Sequence, residues 1–277
     1  MTEDALRQST EIVRARDPDR YLADLFAPAE ARPHLLVLHA FAIEVADIRR
    51  KVSQPMLGEM RLKWWESGLR GEHGGNPLAA ALAETITRFG LPLAAFDNLL
   101  RARTFDLYDD PMPSLNDLEG YAGDTESALM QLGALILAGG RDAGSAEAAG
   151  FAGVAVALTG LLRALPWNAA EGQSFLPADL LDRYGGVPEG VTAPASLAVV
   201  QATVAELRQL ARRRLEEARA AFGGNALLLP AFLPAAMVPL YLDRMERSGF
   251  EPLRDTVDVS PLRRQWTLWR AARSERF

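Results

Sequence analysis

The chain has 277 residues, of which 49% are hydrophobic and 24% charged, with a formal net charge of -6. It is long enough to bury a substantial core. It contains no cysteine, which excludes disulfides and thiolate metal sites, and its acidic balance argues against general nucleic-acid binding. His34, His39 and His73 fall too irregularly for a zinc pattern and read as structural or surface residues.

Alanine, leucine, arginine and glutamate fill long segments punctuated by glycine and proline, and no window alternates like a strand. In chain order the pattern predicts helices near 3–16, 19–26, 29–52, 56–70, 77–89, 92–108, 114–122, 124–139, 145–164, 195–222, 231–248 and 260–274. The stretch 165–194, rich in Pro and Gly, reads as a loop with a short helix at 178–183. The charged N-terminus shows no signal-peptide core. Three apolar stretches, 127–140, 149–165 and 225–242, read as buried helices: the first is short of the roughly 20 residues a span needs, the second carries Arg163 and the third three prolines. Short connections and many helices predict an all-α fold, one domain over 1–277.

Glu44 and Asp47 lie three apart near the end of 29–52, on roughly one helix face. Turned inward they would suit a divalent cation; turned outward they would pair with Arg50 or Lys51. In the region 149–177 a small-residue helix leads to Arg163, and Pro166 and Trp167 are expected to interrupt it. Arg163 points into a cavity or satisfies terminal carbonyls. For Glu44 the alternatives are a pocket-facing role and a buried acid paired with an arginine such as Arg163. Arg49, Arg50 and Lys51 suit either direct phosphate binding or a solvated helix end. Of Trp64 and Trp65, one reads as core and the other as half-exposed. Asp109-Asp110-Pro111 reads as a helix-ending turn.

Two segments, "RPHLLVLHAFAIEVADIRR" from Arg32 and "LTGLLRALPWNAAEGQSFLP" from Leu158, resemble without a gap the two aspartate-rich regions of the squalene/phytoene synthase family. "DRYLADLFAP" at 19–28, "LRARTFDLYDD" at 100–110 and the tail "VPLYLDRMERSGF" extend the resemblance over about residues 19–275. It implies an isoprenoid-synthase-type helical bundle around a central cavity. It also implies an activity, the magnesium-dependent joining of two prenyl diphosphates, in which carboxylates on facing helices hold the metal and the metal holds the diphosphate. At the positions of those four outer carboxylates this chain has Ala46, Arg50, Ala164 and Asn168. Asp47 and Asn168 supply one charged and one neutral oxygen, and the family's phosphate-contacting Gly-Arg pair is Gly172-Gln173.

"LHAFAIEVADIRRKVS", "LLRALPWNAA" and "SFLPADLL" are similar to a branch of the family, mitochondrial complex I assembly factor 6 and its bacterial relatives. The branch implies no catalytic residues, no metal and no cofactor. It implies pocket or ligand residues drawn from Glu44, Asp47, Arg50, Asp106, Arg163 and Asn168. The partners it implies are a prenyl lipid or prenyl diphosphate and a respiratory complex subunit or assembly intermediate, with no nucleic acid. The expected location is cytoplasmic, peripheral at the inner face of the membrane. The alternative is an active prenyl transferase using Asp47, Asp106 and magnesium.

Overall fold

Local signals set the first helices. Thr2 caps α1 (Glu3–Arg16) by accepting from the Ala5 amide. Asp17 closes α1 and opens α2 (Pro18–Asp24), accepting from the Arg20 amide with Pro18 at the first turn. The computed structural model describes residues 1–193 and 196–277, and among them every regular element is helical.

The expected helix over 29–52 is two. α3 (Arg32–Ala46) runs through the core and α4 (Ile48–Lys51) is a separate turn, because Asp47 takes a non-ideal backbone and caps α3. α5 (Pro55–Leu69), α6 (Pro77–Phe89) and α7 (Leu93–Ala102) follow; α6 starts on an Asn76 cap and stops where Gly90 enters the left-handed region at φ 59°. The segment expected to continue α7 to 108 instead turns at Arg103 and closes as a 3₁₀ turn over Phe105–Leu107. α8 (Leu115–Ala122) passes through a π-turn at Gly123–Ser127 into α9 (Ala128–Leu137).

α10 (Ala146–Ala170) is the central helix and packs along α12 (Leu197–Phe222), α9 and the π-turn. Its small residues permit that approach: the side of Gly153 lies against the backbone of Ser127, whose Oγ donates to the Gly150 carbonyl at 2.8 Å. Pro166 does not interrupt α10 as the sequence predicts. Leu162, Leu165 and Asn168 are buried on both sides of it, and that packing outweighs the roughly 3 kcal/mol a helical proline costs. By length and composition α10 alone, among the described residues, is apolar enough to cross a membrane; in the fold it is largely buried.

α11 (Ala178–Arg183) forms where the short helix is expected. The expected start of the next helix at 195 lies outside the described residues; α12 runs from Leu197. The proline-rich stretch 225–242 divides into α13 (Leu229–Phe232), a 3₁₀ segment and α14 (Val238–Met245), and α15 (Pro261–Ser274) follows. Buried apolar side chains from Ala5 to Phe277 form one contiguous core. His34 and His39 are buried in it, hydrogen-bonded at 2.8 Å to Thr85 and Asp24, whereas His73 is half-buried. Trp65 is buried and packs edge-on against Phe41, leaving Trp64 partly exposed.

Candidate functional site

The residues singled out in the sequence fall into three places. At the end of α3 and around α4, Glu44 pairs with Lys51 at 2.7 Å, not with Arg163. Asp47 pairs with Arg16 of α1 at 2.6 Å. Arg50 is exposed, 3.6 Å from an exposed Glu171, a pair of little energetic weight. Arg49 turns the other way. Its guanidinium donates to Asp109 at 2.5 Å and to the Asp106 carbonyl at 3.0 Å, tying α4 to the segment after α7.

Deeper in, Asp106 is buried and fully engaged. Its carboxylate accepts from Arg103 at 3.0 Å and from the Tyr121 hydroxyl at 2.7 Å. Its carbonyl accepts from Gln173 at 3.2 Å. Asn168 is buried beside Leu165, Phe175 and Leu207, where only about 10 Å³ is free, room for about one water. The structure does not bring Glu44, Asp47, Asp106 and Asn168 together. Among the described residues no three His, Cys, Asp or Glu side chains converge as a metal cluster.

Arg163 lies elsewhere, on the wall of a cavity of about 220 Å³ between the α1–α2 corner, the π-turn, α10 and α14. Three arginines (Arg20, Arg103, Arg163) and three carboxylates (Asp17, Asp19, Glu126) line it, with Tyr121 and Tyr241. The π-turn, a geometry recurrent at functional sites, presents Glu126 to Arg20 at 2.6 Å; Asp17 stands 3.7 Å from the same guanidinium. Arg163 stacks over the Tyr241 ring, 3.7 Å from its centroid, a cation–π contact strengthened by desolvation. The Tyr241 hydroxyl donates to Asp19, which also accepts from Arg264 of α15 at 3.3 Å.

The charges are tuned by this confinement. Burial holds Asp19 above the usual carboxylate range, with the Tyr241 hydrogen bond pulling the other way. Burial works against the Arg20 charge, yet Glu126 and Asp17 more than offset it and raise its pKa. Burial likewise pushes the Tyr121 hydroxyl well above its ordinary range. Three cationic and three anionic side chains share the wall; Arg20 is paired with Glu126 and Asp17, whereas Arg163 has no carboxylate in salt-bridge range among the described residues.

Asp19, Arg20, Arg103, Glu126 and Tyr241 were not among the sequence candidates. Asp19 and Arg20 open "DRYLADLFAP", Arg103 stands in "LRARTFDLYDD" and Tyr241 in "VPLYLDRMERSGF", all segments that carried the resemblance. The available signal was arginine and acid together within segments otherwise reading as core.

A family model described as Squalene/phytoene synthase matches residues 13–270. A bovine (Bos taurus) protein named NADH dehydrogenase (ubiquinone) complex I, assembly factor 6 is 29% identical over 250 residues, covering 88% of this chain and 75% of the relative. Its human counterpart is 28% identical over 246 residues, covering 87% and 74%. A phytoene synthase of Thermus thermophilus is 27% identical over 273 residues, covering 96% and 92%. Among solved structures, a dehydrosqualene synthase in complex with ligand superposes with a TM-score of 0.83 at 19% identity, covering 98% of this chain and 96% of that one. That likeness shows the fold: an isoprenoid-synthase-type helical bundle.

Proposed function

Because the chain belongs to the squalene/phytoene synthase family, we propose that it is a member without magnesium-dependent prenyl condensation that acts instead in assembly of a respiratory complex of the NADH dehydrogenase type. The observation that carries this reading is the engagement of the remaining acids. Asp47 is held by Arg16 and Asp106 by Arg103 and Tyr121. Ala46, Arg50, Ala164 and Asn168 occupy the positions where the family resemblance expects carboxylates. Ionising an allylic diphosphate creates about three negative charges beside a carbocation, which an apolar interior cannot stabilise without cations. Of the arginines on the separate cavity wall, Arg20 and Arg103 are already engaged by Glu126 and Asp106. Similarity over most of their length to proteins named as complex I assembly factor 6 supports the assembly role.

Two experiments test it. Incubated with farnesyl or geranylgeranyl diphosphate and magnesium, the protein releases no diphosphate and makes no C30 or C40 product; turnover overturns the non-catalytic half. Deleting the gene from its host lowers assembled NADH:quinone oxidoreductase, measured on native gels; unchanged assembly overturns the other half. Val156, Leu161, Met237 and Val238 give one stretch of the wall an apolar surface, so the occupant it suits is a short apolar segment such as the end of a prenyl chain. Native mass spectrometry of the purified protein reads that directly, and a bound magnesium diphosphate would contradict the proposal.

A further inference from the structure

Helix α15 carries four arginines and no acid over Pro261–Ser274, in a chain whose net charge is -6. Its buried face is narrow: Leu268 and Ala271 pack on the core, and Arg264 on the same side reaches Asp19. The opposite face carries Leu262, Trp266 and Trp269, which are 78%, 61% and 45% exposed. Spaced at i, i+4 and i+7, they form one stripe. The two indoles stack with centroids 5.1 Å apart, and the Arg273 guanidinium lies 5.8 Å from the Trp269 ring. Arg263 and Arg270 flank the stripe, and none of Arg263, Arg270, Arg273 and Arg276 has a carboxylate partner among the described residues. Beside the helix runs a groove of about 1300 Å³ that Arg219, Arg270 and Arg276 line together with Phe222 and Trp266; its acids are Asp243 and Glu275.

We propose that α15 and this groove dock the protein on an anionic phospholipid surface, the tryptophan–leucine stripe entering the interface and the arginines meeting lipid phosphates. The chemistry selects the occupant. Indoles pair an apolar body with a hydrogen-bond donor and settle at the boundary between acyl chains and headgroups. Arginines along the same helix suit phosphate oxygens. An outward apolar stripe flanked by cations is the pattern of a helix lying in a membrane plane. Arginine is concentrated here while the chain as a whole is acidic, so the field of the molecule turns this face toward a negative surface.

The test is co-sedimentation of the full chain with vesicles of phosphatidylcholine alone and of phosphatidylcholine with 30% phosphatidylglycerol, at low and high salt. The unsubstituted protein is expected to sediment with the anionic vesicles, weakly with neutral ones, and less as salt rises. Trp266→Ala with Trp269→Ala, and separately Arg263→Gln with Arg270→Gln and Arg273→Gln, are each expected to lower vesicle affinity by about tenfold or more. These side chains are exposed, so both variants should melt as the unsubstituted protein does, and a shared melting temperature separates lost binding from lost fold. Absence of binding to vesicles of either composition overturns the proposal, as does undiminished binding by both variants. Retention on a polyglutamate matrix without vesicle binding would assign the face to an acidic protein partner and overturn it equally.

Discussion

The Arg20–Glu126 pair is where the interior cavity is most open to quantitative attack. Arg20 is 8% exposed, and its guanidinium meets Glu126 at 2.6 Å and Asp17 at 3.7 Å. At an effective dielectric of about 20, unit charges at that separation attract by roughly 6 kcal/mol. Desolvation of the two ions opposes this by several kcal/mol. That cost falls on each ion singly and cancels in a double-variant cycle; relaxation and solvent bring the coupling the cycle reads to about 2 kcal/mol, within the usual range for contacting residues. Arg20→Met strands Glu126, which keeps some solvent contact, and is expected to cost about 3 kcal/mol, the low end for a broken buried pair. Glu126→Gln leaves Arg20 its longer contact with Asp17 and should cost about 1–2 kcal/mol. The double variant should then cost about 2 kcal/mol less than the sum of the singles. Urea unfolding followed by ellipticity measures all four proteins, with an unchanged dependence on denaturant confirming that the same surface unfolds. Single effects that add to within about 0.5 kcal/mol would refute a coupled pair.

Two further outcomes follow from packing and protonation. Gly153→Ala places a methyl onto the Ser127 backbone, whereas a methyl at Gly150 meets no atom within 4 Å. The first should destabilise by about 1–3 kcal/mol through overpacking and the second stabilise by up to about 1 kcal/mol through helix propensity. Equal thermal shifts for the two would show that α10 and the π-turn are not in that contact. Burial lowers the His34 pKa below its ordinary value, so the folded state binds that proton less readily than the unfolded chain. Stability from this group is complete above about pH 6.5 and declines as pH falls below it through the folded pKa. His34→Phe, which keeps a ring against Phe89, should therefore flatten the loss of stability between about pH 6.5 and 5. An unchanged slope would assign that loss to other groups.

The helical content and the order of the elements were legible because propensity, caps and punctuation agree at most boundaries. Thr2, Asp17-Pro18, Asn76-Pro77 and Gly90 each do in the structure what their chemistry suggests. Local rules failed where packing decided. Pro166 reads as a breaker, yet buried neighbours carry α10 through it to Ala170. Asp47 reads as helix interior, yet the chain turns there and sends Arg49 toward Asp109. The π-turn has no periodicity that marks it in advance, and it is the element that presents Glu126. The candidate site was legible in part: Arg163 does line the cavity, whereas Glu44, Asp47 and Arg50 stand outside it. Its other members, Asp19, Arg20, Arg103 and Tyr241, are far apart in sequence, and nothing at single positions signals that they converge.

Asp19 accepts from Tyr241 with one carboxylate oxygen and from Arg264 of the terminal helix with the other. The interior cavity and the exposed C-terminal face are therefore not independent parts of the molecule. Thermodynamic linkage is reciprocal: a force that draws α15 outward strains the hydroxyl beneath Arg163, and a guest that reorients Tyr241 alters how firmly α15 is seated. One short side chain, Asp19, joins the cavity wall to the helix that carries the exposed tryptophans.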